Sequence, residues 1–261
     1  MIKAVDDISF TIQPRQTFAL VGESGSGKSV TAASILKLVP PSGRMQGNVT
    51  WKNRNIAAFT EKQMQRIRGG QIGLVLQDPL SALNPVMSIG KQIAQVIRFH
   101  AQISKKESIC KARKLMQRLY LNPPEHYFSM YAHELSGGLR QRALIAIALA
   151  ANPELLIADE PTTALDVSVQ RQILLLLSEL KKEMQLSLLL ITHDLGVVSQ
   201  IAEHVAVMYA GKIVEIAPQK ALFANPQHPY TQMLFKAIPG FDCSTDANPA
   251  DTFVEHKKKI T

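Results

Sequence analysis

The chain reads Gly22-Glu23-Ser24-Gly25-Ser26-Gly27-Lys28-Ser29 directly after an apolar run over residues 17–21. This octapeptide fits the pattern G-x-x-x-x-G-K-[ST], in which glycines let backbone N–H groups turn inward around phosphate oxygens. In that pattern, Lys28 reaches the β and γ phosphates and the Ser29 hydroxyl ligates Mg²⁺. An ordinary Gly/Ser turn is the alternative, but a predicted strand before the loop and a predicted helix after it favour phosphate binding. We therefore expect all eight residues to bind ATP.

Two adjacent acidic residues end another apolar segment. Asp159 and Glu160 follow residues 155–158, which read as a buried strand. We expect Asp159 to hold Mg²⁺ through water and Glu160 to orient or deprotonate the attacking water. An acidic helix cap is the common alternative, but it does not account for two acids on an otherwise apolar strand. The pair by itself separates a hydrolase from a kinase only weakly.

The order of predicted elements indicates an α/β fold. Apolar positions that mostly alternate over residues 5–12 predict a first strand, and Ala210-Gly211-Lys212 predicts a hairpin turn. Between these elements, helical patterns fill a middle segment and strands then alternate with helices. The fold class that we expect is a P-loop α/β core with a mostly parallel sheet, an antiparallel β portion and an inserted helical subdomain at about 80–150. One domain would cover 1–241, and 242–261 would form a polar, loose tail.

Composition excludes several classes of protein. Of 261 residues, 46 % are hydrophobic and 19 % are charged, which provides a sizeable core and excludes general disorder. The densest apolar run, residues 143–151, is about half of the roughly 18 residues that a spanning helix needs. Two cysteines, Cys110 and Cys243, cannot form a disulfide framework. The formal net charge of +8 permits an anionic partner without identifying one.

Four more motifs follow in order and make the chain resemble the ATP-binding cassette (ABC) ATPases over about residues 5–239. Gln77 matches the glutamine of the Q-loop and His193 the switch histidine. The signature motif is matched by Leu135-Ser136-Gly137-Gly138-Leu139-Arg140-Gln141, and the D-loop by Ala164-Leu165-Asp166. The resemblance implies that Gln77 binds Mg²⁺ or the water, and that His193 joins Lys28 and Glu160 in catalysis. It also implies that the signature acts on ATP bound to a second subunit.

A finer resemblance is to the importer ATPases of the dipeptide, oligopeptide and nickel group. Residues 77–85, residues 159–170 and His228-Pro229-Tyr230-Thr231 carry it. It implies coupling of ATP hydrolysis to uptake of peptides or a metal such as nickel through two membrane permeases. These permeases would contact the helical insertion and receive cargo from a solute-binding protein. A second, different ATPase subunit would complete the dimer. The protein would then lie peripherally on the cytoplasmic face of the inner membrane, with no nucleic acid as partner.

The sequence departs from that group in two ways. Family members usually begin one strand earlier, with an aromatic residue that stacks on adenine, whereas this chain opens at Met1-Ile2-Lys3. Either the true start lies upstream of Met1, or adenine stacking is absent. Because such stacking contributes about 1 kcal/mol, its absence would weaken ATP binding without abolishing it. Many members also carry four cysteines near the C-terminus for an iron–sulfur cluster. Cys243 alone provides too few thiolates, so no cluster is expected.

Two other functions are alternatives to transport. A soluble ABC-type ATPase acting on DNA or ribosomes would need a coiled-coil insertion or two cassettes, but the chain has one P-loop, one signature and no heptad run. A degenerate subunit that binds ATP without turnover would fit the late N-terminal start. The presence of Lys28, Asp159, Glu160 and His193 disfavours it.

Overall fold

The computed structural model describes residues 3–40, 42–163 and 165–237. Within them, the strands are β1 (Thr17–Val21), β2 (Thr50–Trp51), β3 (Arg54–Asn55), β4 (Ile72–Val75), β5 (Leu155–Asp159), β6 (Ser187–Thr192), β7 (His204–Tyr209) and β8 (Lys212–Pro218). The helices are α1 (Lys28–Ile35), α2 (Glu61–Ile67), α3 (Pro79–Ala82), α4 (Ile89–Ala101), α5 (Lys105–Arg118), α6 (Pro124–Ser129), α7 (Gly137–Leu149), α8 (Val167–Met184), α9 (Leu195–Ile201), α10 (Gln219–Ala224) and α11 (Pro229–Lys236). The predicted tail at 242–261 lies outside the described residues.

The chain divides into two compact units. Unit 1 comprises Met1–Ala33 and Ser187–Thr261, and unit 2 comprises Ser34–Leu186. In unit 1, β1 pairs in parallel with β6 on one side and β7 on the other, and β7 pairs antiparallel with β8. Every residue of β1 is buried, as expected for a strand covered on both faces. Val21 is in register with Thr192, so the loops after β1 and β6 leave the sheet at the same edge.

Unit 2 repeats this arrangement with a second parallel pair. β4 and β5 are in register from Ile72 and Leu155 to Val75 and Ala158, so their carboxyl ends also lie at one edge. Helices α3 to α7 lie between these two strands in the chain. Strands β2 and β3 form a separate antiparallel hairpin. The residues that follow β4 and β5 are therefore brought to the same side of unit 2.

Capping and apolar periodicity explain the long helices. The Asp166 carboxylate accepts the Val169 N–H at 2.9 Å where α8 begins. Ile173, Leu176 and Leu180 of α8 are buried at helical spacing. α5 begins in the same way, because the Ser104 hydroxyl accepts the Glu107 N–H. None of the helices in the described part of the chain is long and apolar enough to cross a membrane.

The predicted strand over residues 5–12 is wrong, because residues 3–16 contain no strand. Asp7 has a left-handed φ of 51°, which breaks an extended run. Phe10 instead stacks on Phe18 with ring centroids 5.2 Å apart, so the alternating apolar pattern reflects packing against the sheet. The predicted hairpin turn is confirmed. Ala210 and Gly211 both have positive φ, as a type I′ turn between β7 and β8 requires.

The Glu215 carboxylate on β8 binds the segment that leads into α11. The Glu215 carboxylate accepts the backbone N–H groups of Gln227 and His228, each at 2.9 Å. Burial raises the pKa of Glu215, but these two donors lower it, and the net pKa lies below its usual value. The segment that leads into α11 is thereby attached to β8 through an ionised carboxylate.

Glu215→Gln is expected to lower the melting temperature at pH 7 by about 2–6 °C, because one of the two N–H groups loses its acceptor and the other keeps only a neutral one. A carboxyl group with a lowered pKa in the folded state stabilises the fold above its unfolded pKa. That contribution disappears as the pH falls through the folded pKa. The difference between wild type and variant should therefore close below about pH 4. Thermal unfolding from pH 7 to pH 3.5 tests this, with exposed Glu125→Gln as control. A difference independent of pH would contradict the assignment.

Candidate nucleotide-binding and catalytic site

The P-loop in unit 1 fits closely against its neighbours. A Cβ on Gly22 would lie 2.1 Å from the carbonyl oxygen of Met208 in β7. Gly27 has a φ of +106°, and a Cβ there would lie 2.4 Å from the carbonyl oxygen of Ala4. Only glycine fits at both positions. The backbone of the loop between β1 and α1 is therefore restricted to this conformation.

Lys28 places a positive charge inside this loop. Its Nζ donates to the carbonyl oxygens of Gly22 at 2.8 Å and Glu23 at 2.7 Å, and to Ser26 Oγ at 3.4 Å. The side chain is only 4 % exposed. Lys28 also begins α1, and exposed Ser29 follows it in the first turn, where unpaired N–H groups favour an anion. The loop therefore combines a buried cation with backbone N–H donors.

His193 of unit 1 lies at the same edge of the sheet as the P-loop. His193 follows Thr192, the register partner of Val21, and is exposed. The next residue fixes the turn, because the Asp194 carboxylate accepts the N–H groups of Gly196 at 2.8 Å and Val197 at 3.2 Å. The Asp194 N–H in turn donates to the Thr192 hydroxyl. The strand-to-helix turn thus holds His193 at a defined place beside the loop that follows β1.

In unit 2, Gln77 and Glu160 are in direct contact. The Gln77 amide donates to Glu160 Oε2 at 2.9 Å, and the Thr163 hydroxyl donates to the same oxygen at 2.8 Å. Glu160 is 9 % exposed and has a left-handed φ of 47°, an uncommon conformation outside glycine that is often found at functional sites. Asp159 precedes it as the buried last residue of β5. The two acids thus differ in backbone conformation.

Thr163 is a residue that the sequence analysis missed. It lies three residues after Glu160, and its own N–H donates to the Glu160 carbonyl oxygen at 3.2 Å. The hydroxyl and the backbone therefore both tie Thr163 to the acid. The Thr162-Thr163 pair after Asp159-Glu160 was the available signal, since a hydroxyl at this spacing is within reach after a tight turn.

The signature residues differ in how deeply they are buried. Leu135 and Gln141 are buried, whereas Ser136 and Gly137 are exposed at the N-terminal end of α7. The Ser136 hydroxyl caps the helix by accepting the Leu139 N–H at 3.4 Å. The Ser136-Gly137 end is therefore the most exposed part of the motif and the part most accessible to a ligand outside this unit.

Two contacts support that end of α7. A Cβ on Gly138 would lie 2.7 Å from a methyl carbon of Val169, so the helix passes close to α8. Arg140 Nε donates to the carbonyl oxygen of Ala132 at 2.8 Å. Of the D-loop, Asp166 caps α8 and Leu165 lies near Gly137, while Ala164 lies outside the described residues.

The predicted residues fit a magnesium–nucleotide ligand by their chemistry. Unit 1 offers the glycine cradle, the Lys28 ammonium and the Ser29 hydroxyl. Unit 2 offers the Asp159 carboxylate at the end of β5, and hard cations such as Mg²⁺ prefer oxygen ligands. A Cβ at Gly22 or Gly27 would close the cradle.

Comparison with known proteins identifies the family of this chain. Residues 5–163 match the family model of ABC transporters, and residues 214–254 match the C-terminal region of oligopeptide/dipeptide transporters. The oligopeptide transport ATP-binding protein OppD of Bacillus subtilis (strain 168) is 46 % identical, over 93 % of this chain and 68 % of that protein. The dipeptide transport ATP-binding protein DppD of the same organism is 44 % identical, over 97 % of this chain and 78 % of that protein.

Solved structures show the same fold. The dimeric ATP-binding cassette MJ0796, bound to ADP and Pi after hydrolysis, matches with a TM-score of 0.74 and 28 % identity, over 84 % of this chain and 91 % of that one. CbiO1 from Clostridium perfringens, part of the transporter complex cbiONQ, matches with a TM-score of 0.71 and 27 % identity, over 90 % and 89 % of the two chains. The predicted P-loop α/β fold and the predicted family are both confirmed. This chain belongs to the ATP-hydrolysing subunits of ABC transporters, among relatives that serve oligopeptide and dipeptide transport.

Proposed function

We propose that this protein hydrolyses ATP to drive peptide import, with the residues described above in the roles that the sequence predicts. One observation carries the proposal. A P-loop with a buried lysine and a hydrogen-bonded Glu160 occur in a chain that also matches the C-terminal region of peptide transporters. Peptides are the favoured cargo because the matching relatives are named for oligopeptide and dipeptide transport.

The P-loop is the proposed site of ATP binding. Within residues 22–29, the backbone N–H groups at the start of α1 bind the phosphates and Lys28 pairs with the β and γ phosphates, while the Ser29 hydroxyl with Asp159 and Gln77 would hold Mg²⁺. When bound, Mg²⁺ neutralises part of the phosphate charge. The buried Lys28 ammonium already lies inside the loop, where three oxygens accept its hydrogen bonds, so phosphate oxygens replace acceptors of the same kind.

Glu160 acts on the attacking water. Its Oε2 oxygen accepts hydrogen bonds from Gln77 and Thr163, and these two bonds fix the orientation of the carboxylate that we assign to the water. Because Gln77 donates to this carboxylate, movement of the Q-loop would change the orientation of the base. His193, held at the Thr192 turn, contacts the γ-phosphate and keeps the catalytic geometry.

A second subunit completes the site. The exposed Ser136-Gly137 end of α7 presents N–H groups that suit the γ-phosphate on a partner's P-loop. Leu165 lies near Gly137, and we assign the D-loop residues Ala164, Leu165 and Asp166 to the same contact with the partner. Two cassettes would then close head to tail around two ATP molecules. We favour a different ATPase chain as the partner.

The helical segment of unit 2 is the proposed contact with two membrane permeases. Leu76 and Leu80 flank the Q-loop and are exposed, as are Val86 and Phe99 further along the chain. Large exposed apolar side chains often mark protein contacts. Such contacts would hold the protein peripherally at the cytoplasmic face of the inner membrane, where a solute-binding protein supplies cargo from the opposite side.

Reconstitution of the complete transporter tests this function. Liposomes containing this chain, its partner ATPase and both permeases would be supplied with the solute-binding protein and Mg²⁺-ATP. We expect a dipeptide or oligopeptide to stimulate ATP hydrolysis several-fold and to accumulate across the membrane, while nickel does neither. Stimulation by nickel and not by peptide would contradict the peptide assignment. Hydrolysis unaffected by either cargo would contradict the coupling to import.

A further inference from the structure

We propose that Tyr230, in the C-terminal peptide-transporter region, is a positioning residue for the P-loop and thereby sets ATP affinity. This inference rests on the proposed assignment of residues 22–29 as the ATP site. All groups involved lie in unit 1. The C-terminal region would then act on nucleotide binding as well as on any partner.

The contact is a hydrogen bond between α11 and the P-loop. The Glu23 backbone N–H donates to the Tyr230 hydroxyl at 3.3 Å, across 207 positions of sequence. The carbonyl oxygen of Glu23 accepts Lys28 Nζ at 2.7 Å and the Ser26 N–H at 3.2 Å. Glu23 therefore links Tyr230 on one side to the phosphate-binding lysine on the other.

The position of Tyr230 is fixed by side-chain packing and by the capping of α11. Its side chain is 7 % exposed, and its ring lies 4.3 Å from that of Tyr209 at the end of β7. The N-terminal end of α11 is capped by His228, whose backbone N–H is accepted by Glu215 on β8. Deeper in the unit, Phe235 of the same helix packs edge-on against Phe223. The hydroxyl is thus held from both β7 and β8.

The hydrogen bond between the Glu23 N–H and Tyr230 does not compete with phosphate binding. It engages the N–H of Glu23, near the β1 end of the loop, and leaves the N–H groups at the start of α1 for the ligand. Burial raises the pKa of Tyr230, so the hydroxyl stays protonated at neutral pH. Tyr230 therefore holds the loop in the same way across the pH range in which the enzyme would work.

Tyr230→Phe tests the role, because it removes the hydroxyl and keeps the ring that packs against Tyr209. In the reconstituted transporter, we expect KM for ATP to rise about three- to tenfold, the range that one neutral hydrogen bond supports, with kcat changed less than about twofold. Calorimetry on the purified subunit with Mg²⁺ and a non-hydrolysable ATP analogue should show the same change in Kd. Tyr127→Phe on α6 removes a hydroxyl outside the site and should leave KM unchanged.

Other outcomes separate this inference from the function on which it rests. An unchanged KM in Tyr230→Phe, with wild type binding ATP normally, would overturn the inference alone. A fall in kcat and melting temperature without a rise in KM would also overturn it, since that is the result of a structural role only. Tyr230→Ala, where it folds, should raise KM at least as much as Tyr230→Phe. If the wild-type protein bound no ATP, the proposed function itself would fail.

Discussion

Glu160→Gln is expected to lower ATP turnover at least about 100-fold, the contribution of a positioned general base. The amide has the shape of the carboxylate and still offers an oxygen to Gln77 and Thr163, but it cannot take a proton from water. ATP binding should stay within about twofold, because the P-loop is unchanged. The variant should therefore accumulate as an ATP-bound dimer, which size-exclusion chromatography with and without ATP would detect.

Glu125→Gln is the matched control for this experiment. Glu125 is exposed on α6, so the same change of charge there should leave turnover at the wild-type level. Equal hydrolysis by Glu160→Gln and wild type would remove Glu160 from its role. A loss of ATP binding as large as the loss of turnover would show that the carboxylate mainly supports the nucleotide site.

Lys28→Ala is expected to weaken ATP binding about 100-fold and to remove measurable turnover at millimolar ATP. Hydrogen bonds to charged groups contribute about 1.5–3 kcal/mol each, and Lys28 is assigned to two phosphates. The substitution also removes donors to Gly22 and Glu23, so the loop loses internal bonds as well. Calorimetry with an ATP analogue measures the loss directly.

Exposed Lys220 on α10 offers the control for the charge change. Lys220→Ala lowers the net charge by the same amount but should leave ATP binding as in wild type. The melting temperature of Lys28→Ala without nucleotide reports the loss of internal loop bonds separately. ATP binding retained within about twofold in Lys28→Ala would contradict the assignment of this lysine to the phosphates.

Local sequence was enough where the chemistry lies in a short contiguous segment. The P-loop, the acidic pair and the Ala210-Gly211 turn were all predicted from neighbouring residues, because their geometry depends on a few backbone angles and side chains. The strand over residues 5–12 failed for the opposite reason. Pairing in a sheet depends on a partner strand that is distant in sequence. Here the left-handed Asp7 interrupts the extended run, and Phe10 stacks on Phe18 in place of strand pairing.

The sequence also did not predict the contacts within the site between residues that are far apart in the chain. The bond between Gln77 and Glu160 joins residues 83 positions apart, and the bond between Glu23 and Tyr230 joins residues 207 apart. The signature motif was predicted as one unit of seven residues. Packing decided that Leu135 and Gln141 are buried and that Ser136-Gly137 alone stays exposed.

The amino-acid sequence by itself therefore determined the α/β fold and predicted the candidate reacting groups, since both predictions come from ordered motifs and apolar periodicity. Tertiary structure decided which of those groups meet. It placed His193 at the edge where the P-loop leaves the sheet and tied Glu160 to Gln77 and Thr163. It also brought Tyr230 to the P-loop. Hydrogen bonds act over about 3 Å, so only folding brings residues far apart in the chain within that distance.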